Sequence, residues 1–345
     1  MDKHALVSCQ KDLNHDEALL IEDPYDLFYF FKKPLSLGSL LIEKDKASLF
    51  VDGRYFSAFH QIKPFVTYPS ENGGFFNYIK TSTIKTLIFD SEKTSYLRSE
   101  VLRASLNLEP RAQLLKHLRL IKSPEEEKLI SQSSSLLVAI YKEFLTLPKL
   151  GLTEKQIASQ FKILSLEKGA EDFSFEPIIA VGENSAYPHH RPTNRVLKEG
   201  DVMLVDVGVT VNSYQSDMTR MVFFGNVPKK LLNYHDQVLE AHQAALKLAK
   251  PGTLIGDLDR AARSVFKKHG TEHLFCHSLG HGLGIETHEA PRIKFDGPDK
   301  DLPLKKGMVI TIEPGLYEEG LGGIRHEDLI VITENGYTNF YPSYF

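Results

Sequence analysis

Short apolar runs alternate along this chain with longer segments whose apolar residues recur every three or four positions. In the first 120 residues, "EALLIED" (17–23) and "KTLIFD" (85–90) read as strands. "SLLIEKDKASLFVDGRYFSAF" (39–59) reads as a hairpin feeding a helix, and a helical pattern follows the 85–90 run to about Leu108. Alternation of this kind predicts an α/β domain on a central sheet. No glycine-rich phosphate loop follows these runs, so nucleotide binding is not indicated.

The pattern changes near residue 122. Ser123, Pro124 and Glu126 form a capping box with proline at the first helical position, opening a helix that runs towards Leu147. Thr153 and Gln156 open a second helix, which ends near Gly169. Strand-like runs follow at 177–182, 201–211 and 219–225. The same plan then recurs, with helices around 229–249 and 254–269 and strands at 308–314 and 324–333. The expected organisation is an α/β domain over 1–122 and an α+β domain over 123–345 with internal pseudo-two-fold symmetry. A site is expected where the halves meet.

Acidic residues interrupt these apolar strands. "LVDVG" contains Asp206 and "YQSDMTR" contains Asp217; in the second half "TIEPG" contains Glu313 and "RHEDL" contains Glu327. Each alone reads equally well as a surface or turn carboxylate, and Asp328 competes with Glu327 for the buried position. As a set recurring at equivalent places, they read as converging, which burial permits only if cations neutralise them. Four carboxylates carry too much charge for one divalent ion. His281, between Gly280 and Gly282 in "HSLGHGLGIETHEAP" (277–291), is the fifth candidate ligand, with the glycines expected to let the backbone pass close to the metals. An oxygen-rich set with one imidazole suits Mn(II), Fe(II), Co(II) or a mixed Zn site.

Bulk properties narrow the partners. A formal net charge of -4 argues against nucleic-acid binding through a basic surface. The two cysteines, Cys9 and Cys276, are too few for a disulfide scaffold and read as reduced thiols. Neither a signal peptide nor a membrane-spanning run is evident, so a cytoplasmic protein is expected.

Together "LVDVG", "QSDMTR", "HSLGHGLGIETHE", "TIEPG" and "IRHED" resemble the pita-bread metallopeptidases, the superfamily of methionine aminopeptidase, aminopeptidase P, prolidase and creatinase. Residues 1–120, including "DGRY" (52–55), resemble the family's N-terminal domain. The resemblance implies that Asp206, Asp217, His281, Glu313 and Glu327 hold two divalent ions, Mn2+ first and Co2+, Fe2+ or Zn2+ as alternatives. His277, Arg325 and "NSAYPHH" (184–190) are similar to the proline-specific branch. In that branch Glu313, His288 and His277 are expected to be catalytic. Glu313 serves as general base and His288 as hydrogen-bond donor to the developing oxyanion. His189, Arg325 and Tyr214 are grouped on the substrate side, Arg325 orienting a ligand carboxylate and Tyr214 either assisting or simply packing. The doubled histidine leaves His189 or His190 to face the substrate. The remaining histidines, His242 among them, read as surface or core, and His326 should point away from its two neighbours.

The implied activity is an Xaa-Pro aminopeptidase acting on proline-containing peptides as a homodimer. An Xaa-Pro dipeptidase is the alternative, and a methionine aminopeptidase or a catalytically silent binding module is more remote.

Overall fold

In a computed structural model of the chain, residues 3–341 are described. Two compact units divide it, one running to Leu118 and the other beginning at Arg119. The capping box at Ser123 therefore lies inside the second unit. Arg119 and Lys122 carry the division upstream, because both pair with the carboxylate of Glu289. The Lys122 N–H also donates to the Gly307 carbonyl at 2.8 Å.

The first unit is built on a six-stranded mixed sheet. Its order is Val66–Pro69, Ala47–Val51, Ser39–Glu43, Glu17–Ile21, Thr86–Asp90, Asn107–Arg111. Leu20, Leu41, Phe50, Leu87 and Phe89 of the sheet pack against Phe75, Ile79 and Leu102 in one buried cluster. Burying each such side chain contributes about 1.5–3 kcal/mol. The helical pattern expected as far as Leu108 stops at Arg103, and Asn107–Arg111 is instead a strand pairing with Thr86–Asp90. It lies at the sheet's edge, where Pro110 costs no ladder hydrogen bond.

The second unit repeats one plan. The helices Pro124–Phe144 and Glu154–Glu167 precede the first set of strands, and Lys229–Leu246 and Ile255–Lys268 precede the second. Both capping boxes form, Ser123 with Glu126 and Thr153 with Gln156. In the first half Val202–Val207 lies between Ile178–Val181 and Met218–Phe223. In the second, Val309–Ile312 lies between Gly280–Gly282 and Asp328–Ile332. No described helix is long and apolar enough to cross a membrane.

Two runs that read as single strands are broken. The 201–211 run splits at Gly208 into Val202–Val207 and Val209–Val211, which join different sheets. A Cβ at Gly208 would sit 2.1 Å from the Ser216 carbonyl oxygen. The 324–333 run splits into Gly322–Arg325 and Asp328–Ile332, leaving His326 and Glu327 at the junction.

The glycines around His281 serve neighbouring strands rather than metals. A Cβ on Gly280 would lie 2.1 Å from the Thr311 carbonyl oxygen, and one on Gly282 would lie 2.1 Å from that of Ala290. His281 is thus threaded between two backbones that admit no side chain beside it. Gly280→Ala should cost about 1–3 kcal/mol through overpacking. An unchanged denaturation midpoint would show that the strands can separate freely.

Candidate metal centre

The symmetry of the second unit delivers four carboxylates to one place. Asp206 lies in Val202–Val207, and Asp217 immediately precedes the paired strand Met218–Phe223. Glu313 immediately follows Val309–Ile312, and Glu327 immediately precedes its partner Asp328–Ile332. The halves are stitched together by the Glu327 N–H, which donates to the Thr219 carbonyl at 3.2 Å. Asp206, Asp217 and Glu327 are 8%, 4% and 2% exposed. His281 Nε2 lies 3.7 Å from Asp217 Oδ2 and 3.5 Å from Glu313 Oε1. Ligand atoms of Asp217, His281 and Glu327 all fall within 4.8 Å of one another.

Three observations bear on whether this set suits a metal. The first is Asp206 Oδ1, which is buried and has no hydrogen-bond partner. Such an atom normally costs about 1–3 kcal/mol unless something else coordinates it. The second is the His281 tautomer. Its Nδ1 is 3.0 Å from the Gly282 carbonyl, so Nδ1 carries the proton and Nε2 presents a lone pair. Burial, with His288 nearby, pushes its pKa down to about 3 and keeps the ring neutral.

The third is electrostatic. Burial and then the charges of Glu327 and Asp206 push Asp217 well above the usual carboxylate range. Burial and Glu327 do the same to Glu313, and burial with Asp206 pushes Glu327 up to about 8. Of the two buried guanidinium groups nearby, Arg325 bonds Asp206, while Arg220, which also acts on Glu327, is paired with Asp328. The four carboxylates therefore keep more negative charge than a single divalent ion neutralises. The donor set fits a pair of hard divalent cations.

Arg325 braces the centre from behind. Its Nη2 donates to Asp206 Oδ2 at 2.5 Å, its Nε to Thr219 Oγ1 at 3.0 Å and its Nη1 to the Tyr317 hydroxyl at 2.8 Å. Thr219 Oγ1 in turn donates to Glu327 Oε2 at 2.7 Å. The guanidinium therefore touches a ligand candidate, not open space.

His277 is held at both nitrogens, Nδ1 2.8 Å from the Ser278 carbonyl and Nε2 2.9 Å from the Tyr317 hydroxyl. Burial, with Arg325 nearby, pushes its pKa down to about 3 and keeps the ring neutral. Through the Tyr317 hydroxyl it is tied to Arg325.

The other expected residues separate cleanly. His190 is tied down, its Nε2 2.8 Å from Oε2 of Glu154. Glu154 is fully buried and also gathers the N–H groups of Val181 and Thr193. His189 is exposed and lies close enough for its charge to act on Asp206, His277 and His288. His288 lies tilted beside His281, with ring centroids 4.3 Å apart, and is exposed to solvent.

Tyr214 is not brought to the centre. It is buried, and its hydroxyl donates to Glu126 Oε1 at 3.0 Å on the helix Pro124–Phe144. The substrate-side role expected of it is replaced by anchoring that helix.

Two contributors carry no sequence signal of their own. Tyr317 links Arg325 to His277. The Tyr341 hydroxyl donates to the Asp217 carbonyl at 2.5 Å, holding that ligand's backbone from far along the chain.

A buried carboxylate–imidazole set with an unpartnered acceptor is a donor set of the kind that metal-dependent hydrolases use. Residues 128–334 match Metallopeptidase family M24, and residues 12–121 match the Creatinase/Prolidase N-terminal domain. The chain belongs to metallopeptidase family M24 and has its pita-bread fold.

It is 35% identical over 337 residues to the Xaa-Pro dipeptidase of Pyrococcus furiosus, covering 94% of this chain and 93% of that protein. Among solved structures it resembles an X-Pro aminopeptidase from Thermotoga maritima, with TM-score 0.86, 32% identity and coverage of 97% and 98% of the two chains. It also resembles an Xaa-Pro dipeptidase from Bacillus anthracis, with TM-score 0.91, 28% identity and coverage of 99% and 96%.

Proposed function

We propose that this chain is a metal-dependent Xaa-Pro dipeptidase, with two divalent ions held by Asp206, Asp217, His281, Glu313 and Glu327. The observation that carries the reading is the buried convergence of these side chains around an unpartnered Asp206 Oδ1. The aminopeptidase expectation yields first place to its alternative. The 35% identity to a dipeptidase across nearly the whole of both chains supports that order. The Thermotoga maritima structure keeps longer Xaa-Pro peptides as the second reading.

Two divalent ions held by these ligands would supply Lewis acidity to the scissile carbonyl and lower the pKa of a water towards neutrality. Glu313, the most solvent-open carboxylate of the four at 17% side-chain exposure, accepts the water's proton and returns it to the leaving proline nitrogen. His288 donates to the carbonyl oxygen as charge develops there. His189 borders the substrate, while Arg325, Thr219 and Tyr317 fix the ligand carboxylates. Proline suits such a site because its tertiary amide offers no N–H to a peptidase that grips an extended strand.

Purified protein with Mn2+ should hydrolyse Ala-Pro faster than Ala-Pro-Ala, and EDTA should abolish both. Preferential tripeptide cleavage would install the aminopeptidase reading, and activity surviving thorough metal removal would overturn the metal centre. The homodimer expected from the resemblance belongs to this proposal, and elution at the monomer mass counts against it. A reducing, cytoplasmic setting is in keeping with free thiols at Cys9 and Cys276.

A further inference from the structure

A second cluster of ligating atoms lies behind the segment that carries Glu327. Successive side chains alternate in extended backbone. Arg325 and Glu327 turn to the carboxylate centre, and His326 and Asp328 turn to the helix Lys229–Leu246. There they meet His242, which is 1% exposed. His242 Nε2 lies 3.4 Å from Asp328 Oδ2, and His326 Nε2 lies 3.9 Å from Asp328 Oδ1. The two imidazole centroids are 4.8 Å apart, and one ligand atom from each of the three residues falls within 4.8 Å of the others.

His242 is what makes this cluster more than packing. Neither of its ring nitrogens has a hydrogen-bond partner. A neutral imidazole carries one donor and one acceptor, and leaving each unmade in the interior costs about 1–3 kcal/mol. Filling space alone would be served better by an aliphatic side chain. Burial keeps the ring neutral, its pKa pushed down to about 4, so a lone pair is available.

Asp328 is fixed from outside the cluster. Arg220 Nη2 donates to its Oδ1 at 2.6 Å, and Asn339 Nδ2 donates to its Oδ2 at 2.7 Å. Oδ2 retains a lone pair towards His242. Carboxylates that bind metals are typically oriented by such outer partners.

We propose that His242, His326 and Asp328 form a separate site for a nitrogen-preferring divalent ion of the Zn2+ type. Two imidazoles and one carboxylate are a zinc donor set. Ligands about 2.0–2.1 Å from a tetrahedral ion stand about 3.3 Å from one another. The His242–Asp328 separation already matches, whereas His326 now faces Oδ1, the oxygen that Arg220 holds, so its ring must turn towards Oδ2 for the site to close. The Arg220 charge, on the far carboxylate oxygen, weakens binding, so this site fills after the carboxylate-rich centre. Mn2+ prefers oxygen donors and should leave it empty. Occupancy would stiffen the 326–328 junction and with it Glu327, which joins the site to the catalytic centre without sharing a ligand.

The test counts ions. Metal-stripped protein is reloaded with Zn2+ or with Mn2+, freed of loose ions and measured by mass spectrometry. The unsubstituted chain should retain one more Zn2+ than Mn2+. His242→Gln should lose that one Zn2+ and keep its Mn2+ count. Equal zinc counts in the two proteins would overturn the site. If His242→Gln does not fold, crystals of the unsubstituted protein grown with Zn2+ decide. Anomalous scattering between His242, His326 and Asp328 supports the site, and scattering confined to the carboxylate centre rejects it. Because the readout is a difference of one ion, failure to cleave Ala-Pro would count against the dipeptidase reading alone.

Discussion

Glu313→Gln should lower kcat/KM for Ala-Pro by at least about a thousandfold, within the range expected when a general base is removed. It should also raise the melting temperature of the metal-free protein. The opposite signs follow from one cause. Glu313 is held well above the usual carboxylate range, first by burial and then by Glu327. The folded state therefore binds its proton more tightly than the unfolded chain does. Where the folded state binds more protons, stability falls as pH rises. That loss begins near the ordinary glutamate pKa and continues upward towards the raised folded-state pKa.

Glutamine is neutral throughout, so its gain should be small at pH 5 and large at pH 8. One unit of pKa difference is worth about 1.4 kcal/mol, or a few degrees of melting temperature in a chain of this size. Saturating Mn2+ should reverse the order, because ligand binding stabilises the intact site by mass action. Melting curves of EDTA-treated and Mn2+-loaded proteins at both pH values check this. A metal-free Glu313→Gln that is less stable at pH 8 would mean that the carboxylates do not repel one another as placed.

Much of the centre was legible in the sequence because buried charge is expensive. An acidic residue inside "LVDVG" or "TIEPG" contradicts its apolar surroundings, and one such contradiction in each half, each followed by a second carboxylate on the next strand, points to one cause. Helix starts were equally legible, since Ser123 and Thr153 cap through side chains three residues away. What failed was anything set by a neighbour distant in sequence. Gly280 and Gly282 read as making room for metals, yet the atoms they admit are carbonyls of Thr311 and Ala290. Tyr214 shares a motif with Asp217 but spends its hydroxyl on Glu126. His242 sits in an unremarkable helical pattern, and only the fold brings it to Asp328. The split of the 324–333 run falls within its charged stretch "RHED", which reads as alternation along one strand but gives residues 325–328 two functional faces.

Arg325→Leu should be the most damaging single change to the unit as a whole. The guanidinium reaches Asp206, Thr219 and Tyr317 in three directions at once. Removing it leaves Asp206 buried without its cation, and breaking a buried pair in that way costs about 3–5 kcal/mol. The penalty should shrink at pH 5, where protons take up part of the uncompensated charge, and should shrink again when metal is present. Losing a partner that orients a ligand also weakens metal binding by about 10–100-fold.

Arg325→Lys separates charge from geometry. A lysine restores a point charge beside Asp206 but cannot span the three acceptors. It should recover most of the stability while leaving Mn2+ affinity and kcat/KM low, because Tyr317, and through it His277, has lost its donor. Denaturant unfolding with and without Mn2+, paired with Mn2+ titration of activity, measures both halves. Full recovery by lysine would mean that Arg325 acts only as a counter-charge, and the Arg325–Tyr317–His277 chain would then have no part in holding the ligands.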